Sequence, residues 1–135
     1  MSDSKQPAFP LPEVTALNRP YWDALAAGRL VYQRCGCGHR WLPAREQCPS
    51  CLSPDTSWEQ ASGRGTLLSW VVYRTAYHPA FEGRLPYVTA VVQLDEGPRL
   101  MTNIVPADAA LRADMPVTLR IEHEGDFALA RFAPA

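Results

Sequence analysis

Lysine is almost missing from this chain: Lys5 is the only one among 13 basic residues, and the rest are arginines. Against 14 acidic residues the formal net charge is −1. No global positive field exists to draw in a polyanion, and no basic stretch is interleaved with aromatics, so the composition argues against a nucleic-acid-binding protein. Long apolar runs are missing too. The longest, 67–73, is interrupted by Ser69 and falls far short of the ~20 residues a membrane helix needs. The first twelve residues lack the basic stretch and apolar core of a secretory leader, so the expected location is the cytoplasm. A glycine-rich phosphate loop, a zincin motif and an internal repeat are likewise absent.

What is present suits a folded protein. The 135 residues are 47% hydrophobic and 20% charged, which fits one compact domain or a small module followed by a slightly larger one. Arginine's planar fork matches phosphate and carboxylate partners, although a simple composition bias produces the same preference without a function.

Along the chain, residues 1–17 carry Pro7, Pro10 and Pro12 and read as an extended tail. Residues 18–28 read as a helix over 19–27. Asn18 is the N-cap, Pro20 sits in the first turn, and Gly28 closes the C-terminus. Tyr21, Trp22 and Leu25 recur at helical spacing, and so short a helix must dock on something; these three are the expected partner interface. Residues 29–61 hold strands at 30–32 and 56–60 around a cysteine segment, and the run from Ser62 to Gly65 reads as a hinge into a unit spanning 62–135. That unit is all-β, with strands expected at 66–76, 87–94, 99–105, 117–122 and 127–132 and one or two helical turns within 107–113. Mainly β, five strands with a helical piece before the fourth: this order fits an OB-type barrel, with a five-stranded sandwich as the rival.

The cysteine segment pairs Cys35 with Cys37 and Cys48 with Cys51. Two tight pairs about ten residues apart let two turns converge on one tetrahedral zinc ion, and a full set of protein ligands makes the metal structural. The second pair has the usual two-residue spacer. The first is one residue short, a tightness that Gly36 is expected to ease. A site in which His39 replaces Cys35, and free thiols with no metal, stand as alternatives. A redox role for Cys48 and Cys51 lacks the βα unit that lowers a thiol pKa.

The chain is similar, in order, to the DUF35 family: Arg19, Pro20, Tyr21 and Trp22; Gly28 to Val31; Arg34 and Cys35; Cys37 and Gly38; Leu42 to Arg45; Cys48 to Cys51; Ser62 to Thr66; Pro86 to Val88; and Gly97 to Asn103. The resemblance covers about 18–132 and implies an N-terminal helix, a rubredoxin-like zinc ribbon and an OB-fold. It further implies a non-catalytic subunit that assembles with a thiolase-like condensing enzyme or a MaoC-like enoyl-CoA hydratase as a hetero-oligomer and helps to bind coenzyme A. The short pair Cys35, Gly36, Cys37 departs from the family pattern.

Four residues could do acid–base chemistry, His78, Asp95, Glu96 and His123, yet none stands in a nucleophile, base and orienter pattern. Asp95 and Glu96 read more simply as a hairpin turn. The loop 78–86 joins the first two barrel strands, where OB-folds commonly contact ligands, and holds a stacking group and a phosphate-capable group. Arg45, Arg64, His78, Phe81 and Arg84 are therefore the candidate coenzyme A contacts, with Arg34 and Arg40 adding charge near the ribbon. A single-stranded nucleic-acid-binding OB-fold is the reading from another functional class.

Overall fold

The computed structural model describes residues 11–135, so the first ten residues of the expected tail lie outside the described residues. Among the described residues a single α-helix, α1 (Arg19–Ala26), leads into β1 (Val31–Cys35), β2 (Arg40–Trp41) and β3 (Thr56–Gln60), which form a small sheet in the order β2-β1-β3. Next come β4 (Arg64–Tyr73), a 3₁₀ turn (Pro79–Arg84), β5 (Tyr87–Leu94), β6 (Arg99–Ile104), β7 (Pro116–Glu124) and β8 (Phe127–Pro134). These five strands close into a barrel in the order β4-β5-β6-β8-β7. The OB-type barrel is the architecture formed, and the sandwich is not.

The helix stops where Gly28 permits a left-handed turn, at φ 86°. There Gly28 N–H bonds Leu25 O and Arg29 N–H bonds Ala24 O, so both freed carbonyls of the last turn find donors. Its start differs from expectation. Asn18 makes no side-chain cap; its Oδ1 accepts from Thr15 N–H at 2.7 Å and its Nδ2 donates to Glu13 O at 3.0 Å. The side chain thus ties down the turn that precedes the helix.

Eight residues cannot hold a helix by propensity alone. The helix is held by packing, chiefly on β8 and also on β1. Leu25, 1% exposed, enters one core with Leu30 and Tyr32 from the ribbon side and with Leu67, Val88 and Phe132 inside the barrel. Trp22 meets Phe127 edge-on at 5.7 Å, and Tyr21 meets Trp22 at 5.0 Å. The expected partner surface of Tyr21, Trp22 and Leu25 is corrected at Leu25, which is consumed by the protein's own core; Tyr21 and Trp22 pack against that core but remain half-buried and line an open cleft.

The segment read as a hinge is pinned on both sides. Ala61 N–H bonds Leu30 O, Ser62 N–H bonds a Glu96 carboxylate oxygen at 2.8 Å, and Leu119 N–H bonds Gly63 O. Residues 107–113 form no helix, another departure. The stretch is too short to nucleate alone, and within it Leu111 is the one large apolar side chain that reaches the core. The helical piece that does form, the 3₁₀ turn, lies between the first two barrel strands. Its first turn is capped by His78, whose Nδ1 accepts from Ala80 N–H at 3.0 Å.

β4 serves two neighbours, pairing with β7 over residues 64–66 and with β5 throughout, with a register shift between Leu67 and Ser69. Gly65 sits at the tightest point. A Cβ there would lie 2.8 Å from both Gln93 O and Val92 Cγ1. Gly65→Ala is predicted to cost about 1–3 kcal/mol through overpacking against backbone that cannot yield. Urea unfolding of the two proteins checks this, and equal midpoints would refute it.

Candidate functional site

The four cysteine sulfurs lie within 4.8 Å of one another. Cys35 Sγ is 3.5 Å from Cys51 Sγ, and Cys37 Sγ is 3.7 Å from Cys48 Sγ. A tetrahedron with Zn–S bonds of about 2.3 Å has edges of about 3.8 Å, so the donor set and its spacing fit a zinc ion held by four thiolates. His39 stands aside, stacked on Trp41 at 5.6 Å, and among the described residues the cluster consists of the four cysteines alone.

Two turns aim the sulfurs. After Cys48, the N–H groups of Ser50 and Cys51 point at Cys48 Sγ at 3.4 and 3.5 Å, and Leu52, at φ 65°, completes the turn. The short first pair is accommodated differently from expectation. Gly36 has open space around a would-be Cβ and no left-handed φ; Gly38 takes that conformation, at φ 94°. Gly38 N–H then bonds Cys35 O, and Cys35 N–H bonds His39 O.

Burial would raise the Cys48 thiol, but the backbone N–H bonds from Cys51 and Ser50, with sulfur contacts to Cys37 and Cys51, outweigh it and bring the pKa down to about 7. Gln33, 2% exposed, braces the ribbon from below. Its Oε1 accepts from Trp41 Nε1 at 2.9 Å and Arg45 N–H at 2.7 Å, while its Nε2 donates to Arg45 O at 3.0 Å. Sequence reasoning missed Gln33, although a lone amide inside an apolar strand is the available signal.

The coenzyme A candidates fall into separate places. His78 and Phe81 meet edge-on at 6.0 Å, and Phe81 lies 5.0 Å from Tyr87, which stacks on Tyr73 at 5.0 Å. Tyr77, 79% exposed, extends this aromatic row from Tyr73. Arg84 belongs to the same end of the barrel and forms a two-pronged bond to Glu124 at 2.7 and 2.8 Å. Arg131 bonds Glu122 and Glu124 beside it.

Arg64 is at the opposite end of β4 from Tyr73 and pairs with Asp95 at 3.5 Å. Arg45 belongs to the ribbon. Arg34 and Arg40 both face Glu59, at 3.3 and 3.8 Å, so they do not form a phosphate cluster. The structure thus assembles His78, Phe81 and Arg84 and leaves Arg45 and Arg64 apart. Tyr73, Tyr87, Glu124 and Arg131, which complete that end of the barrel, were not singled out from sequence, because the register that joins them is a long-range property.

A third feature is an open cleft of about 550 Å³ where helix, ribbon and barrel meet. Leu17 and Tyr21 line one wall, Leu42 and Pro43 another, and Val91 and Met101 the third.

Three outcomes are predicted. The protein binds one zinc per chain, and Cys48→Ser loses it, as elemental analysis would show; equal metal content in both proteins contradicts the site. Because zinc displaces thiol protons, its affinity falls as pH falls, and chelator competition between about pH 8 and pH 6 reads this. Separately, Arg84 hydrogen bonding, opposed by burial and aided by Arg131, holds the Glu124 carboxyl below its ordinary value. A depressed folded pKa contributes stability above the unfolded carboxylate pKa and loses it as pH falls through the folded value. The turn at Pro79–Arg84 should therefore loosen only in acid below the usual carboxylate range, and Arg84→Gln, which removes the tether, should loosen it already at neutral pH and abolish the acid step, followed by near-ultraviolet circular dichroism.

Comparison with known proteins agrees with this geometry. Residues 22–57 match the family model described as the ChsH2 rubredoxin-like zinc ribbon domain, and residues 58–122 match the ChsH2 C-terminal OB-fold domain. A probable enoyl-CoA hydratase alpha subunit from Thermomonospora curvata is 39% identical over 129 residues, covering 93% of this chain and 40% of that protein. The chain therefore spans less than half the length of that relative. A DUF35 domain-containing scaffold protein from Methanocaldococcus jannaschii is 35% identical over 104 residues, 72% of each chain. A solved structure of an Ltp2-ChsH2(DUF35) aldolase superimposes with a TM-score of 0.82 at 37% identity, covering 92% of this chain and 98% of that one. With the helix, the four-cysteine ribbon and the closed barrel in this order, the chain belongs to the DUF35 family, in its ChsH2 form of zinc ribbon followed by OB-fold.

Proposed function

We propose that the chain is a non-catalytic scaffold subunit that assembles with a thiolase-like condensing enzyme and contributes to the binding of that enzyme's coenzyme A substrate. The observation that carries the reading is the likeness to the Ltp2-ChsH2(DUF35) structure, which extends over 98% of that chain at 37% identity. The candidate acid–base groups support it. His78 caps the 3₁₀ turn, Asp95 pairs with Arg64, Glu96 holds Ser62, and His123 lies exposed on β7, far from an ordered nucleophile pattern.

The coenzyme A contact is assigned to the end of the barrel that holds His78, Phe81 and Arg84. Adjacent aromatic faces offer stacking to an adenine ring, whereas the Arg84 guanidinium is already engaged by Glu124 and would have to share that bond with a phosphate. A second reading, a subunit of a MaoC-like hydratase, draws on the relatives named as hydratase alpha subunits. Those names belong to longer chains, of which this one covers 40% and 36%.

Co-expression with the thiolase-like enzyme of the same organism, and separately with its MaoC-like hydratase, discriminates the two. Co-elution with the thiolase is expected. Recovery as a lone monomer in both cases would sink the subunit reading. In the complex, Phe81→Ala should weaken coenzyme A binding about tenfold, as expected for one lost stacking contact; unchanged affinity by calorimetry removes this end of the barrel from the ligand site.

A further inference from the structure

Alternation along β5 turns Val88, Ala90, Val92 and Leu94 into the barrel and leaves Tyr87, Thr89, Val91 and Gln93 outside. On a water-facing barrel wall the outward positions ordinarily carry charge. Here they do not. Register extends the same face sideways: Val91 lies between Ser69 and Met101, Thr89 lies between Val71 and Asn103, and Tyr87 lies beside Tyr73. Val71 is 55% exposed and Met101 74%. Even the polar pair is turned on the protein itself, since Asn103 Nδ2 donates to Val88 O at 3.0 Å and to Thr89 Oγ1 at 3.5 Å.

Across residues 69–73 of β4 and the outward positions of β5 and β6 the one charge is Arg99, opposite Gln93, and it has no carboxylate within ion-pair distance among the described residues; Arg64, at the far start of β4, also faces outward but is paired with Asp95 at 3.5 Å. The other side of the barrel is built in the opposite sense. There Arg120, Glu122, Glu124 and Arg131 share the outer face of β7 and β8, with Arg131 bonded to both glutamates. The cleft between helix, ribbon and barrel borders the uncharged face and shares Val91, Arg99 and Met101 with it, giving a protruding side chain a place to insert.

We infer that the outer face of β4–β5–β6 is the surface on which the thiolase-like partner docks, through an apolar patch that presents a carboxylate to Arg99. The inference rests on the subunit reading given above. Depletion of charge with aromatic, methionine and arginine residues retained is the composition of a buried interface core, and contiguous exposed apolar patches on a folded chain mark interaction sites. A second copy of this chain is the poorer occupant. A two-fold contact brings the same patch against itself, and this patch offers Arg99 no acidic group in return.

The test compares assembly with the host's thiolase-like enzyme by light scattering and titration. Val71→Glu combined with Met101→Glu should weaken assembly about a hundredfold or more, because two charges would be buried without partners. Arg99→Glu should weaken it about tenfold and flatten its salt dependence, whereas Arg120→Glu on the opposite face should stay within about twofold. Circular dichroism and thermal midpoints confirm that each variant is folded. A folded double variant that assembles as tightly as the wild type overturns the docking face and leaves the subunit reading standing. Failure of the wild type to assemble removes the subunit reading, and the docking face with it. A dimer of this chain alone that dissociates in the double variant identifies a second copy as the occupant and overturns the assignment.

Discussion

The structure depends on one act of burial: Leu25 from the helix and Leu30 and Tyr32 from the ribbon enter the same core as Leu67, Val88 and Phe132 of the barrel. Neither the helix nor the ribbon has enough apolar surface to be securely stable by itself. The helix has eight residues, and the ribbon's separate cluster consists of Cys35, Trp41 and Cys48. Sharing a core lets each piece be small. It also fixes their mutual positions, which is why the cleft between them and the face beside it have a defined shape.

Beyond that core, the ribbon tip has little to hold it except sulfur geometry and the Gln33 bonds. Trp41 is its one large buried side chain. Small modules of this kind ordinarily draw their folding energy from the metal, and here the sulfur spacing suits zinc. The consequences are local. Leu30 and Tyr32 anchor the base of the sheet in the main core, so a bound zinc would order the tip rather than set the placement of the ribbon.

Charge divides the barrel into two halves with different roles. On the β7 and β8 side, arginines and glutamates answer one another across the strands and hold the 3₁₀ turn down through Arg84. On the β4–β5–β6 side the outward residues are mostly apolar or self-satisfied, and Arg99 is the charge among them without an ion-pair partner among the described residues. A near-neutral total charge hides this division, which is why composition could argue against nucleic acid yet say nothing about where a protein partner would sit.

Much of the architecture was legible along the chain because it is written in local chemistry. The strands at Thr56–Gln60 and Tyr87–Leu94 follow from β-branched and aromatic runs bounded by turn residues, and the helix stop follows from Gly28. The four cysteines announced a metal site by spacing alone. The departures have two causes. The cap expected at Asn18 and the turn expected at Gly36 give way to neighbours within a few residues, Thr15 and Glu13 in one case and Gly38 in the other, while the helix expected at 107–113 and the partner role expected of Leu25 give way to packing on the core.

By itself, then, the order of residues determined which elements form, where the ligands for a zinc ion come from, and which family the chain resembles, since turn chemistry, periodicity and ligand spacing act over a few residues. The tertiary structure alone decided which arginines remain available and which are paired. It also decided that His78, Phe81 and Arg84 meet Tyr87 and Glu124 at one end of the barrel, and that Val71 and Met101 share an uncharged wall with Val91. Those outcomes depend on strand register between segments up to 40 residues apart, and register is set by how the whole barrel closes around its core.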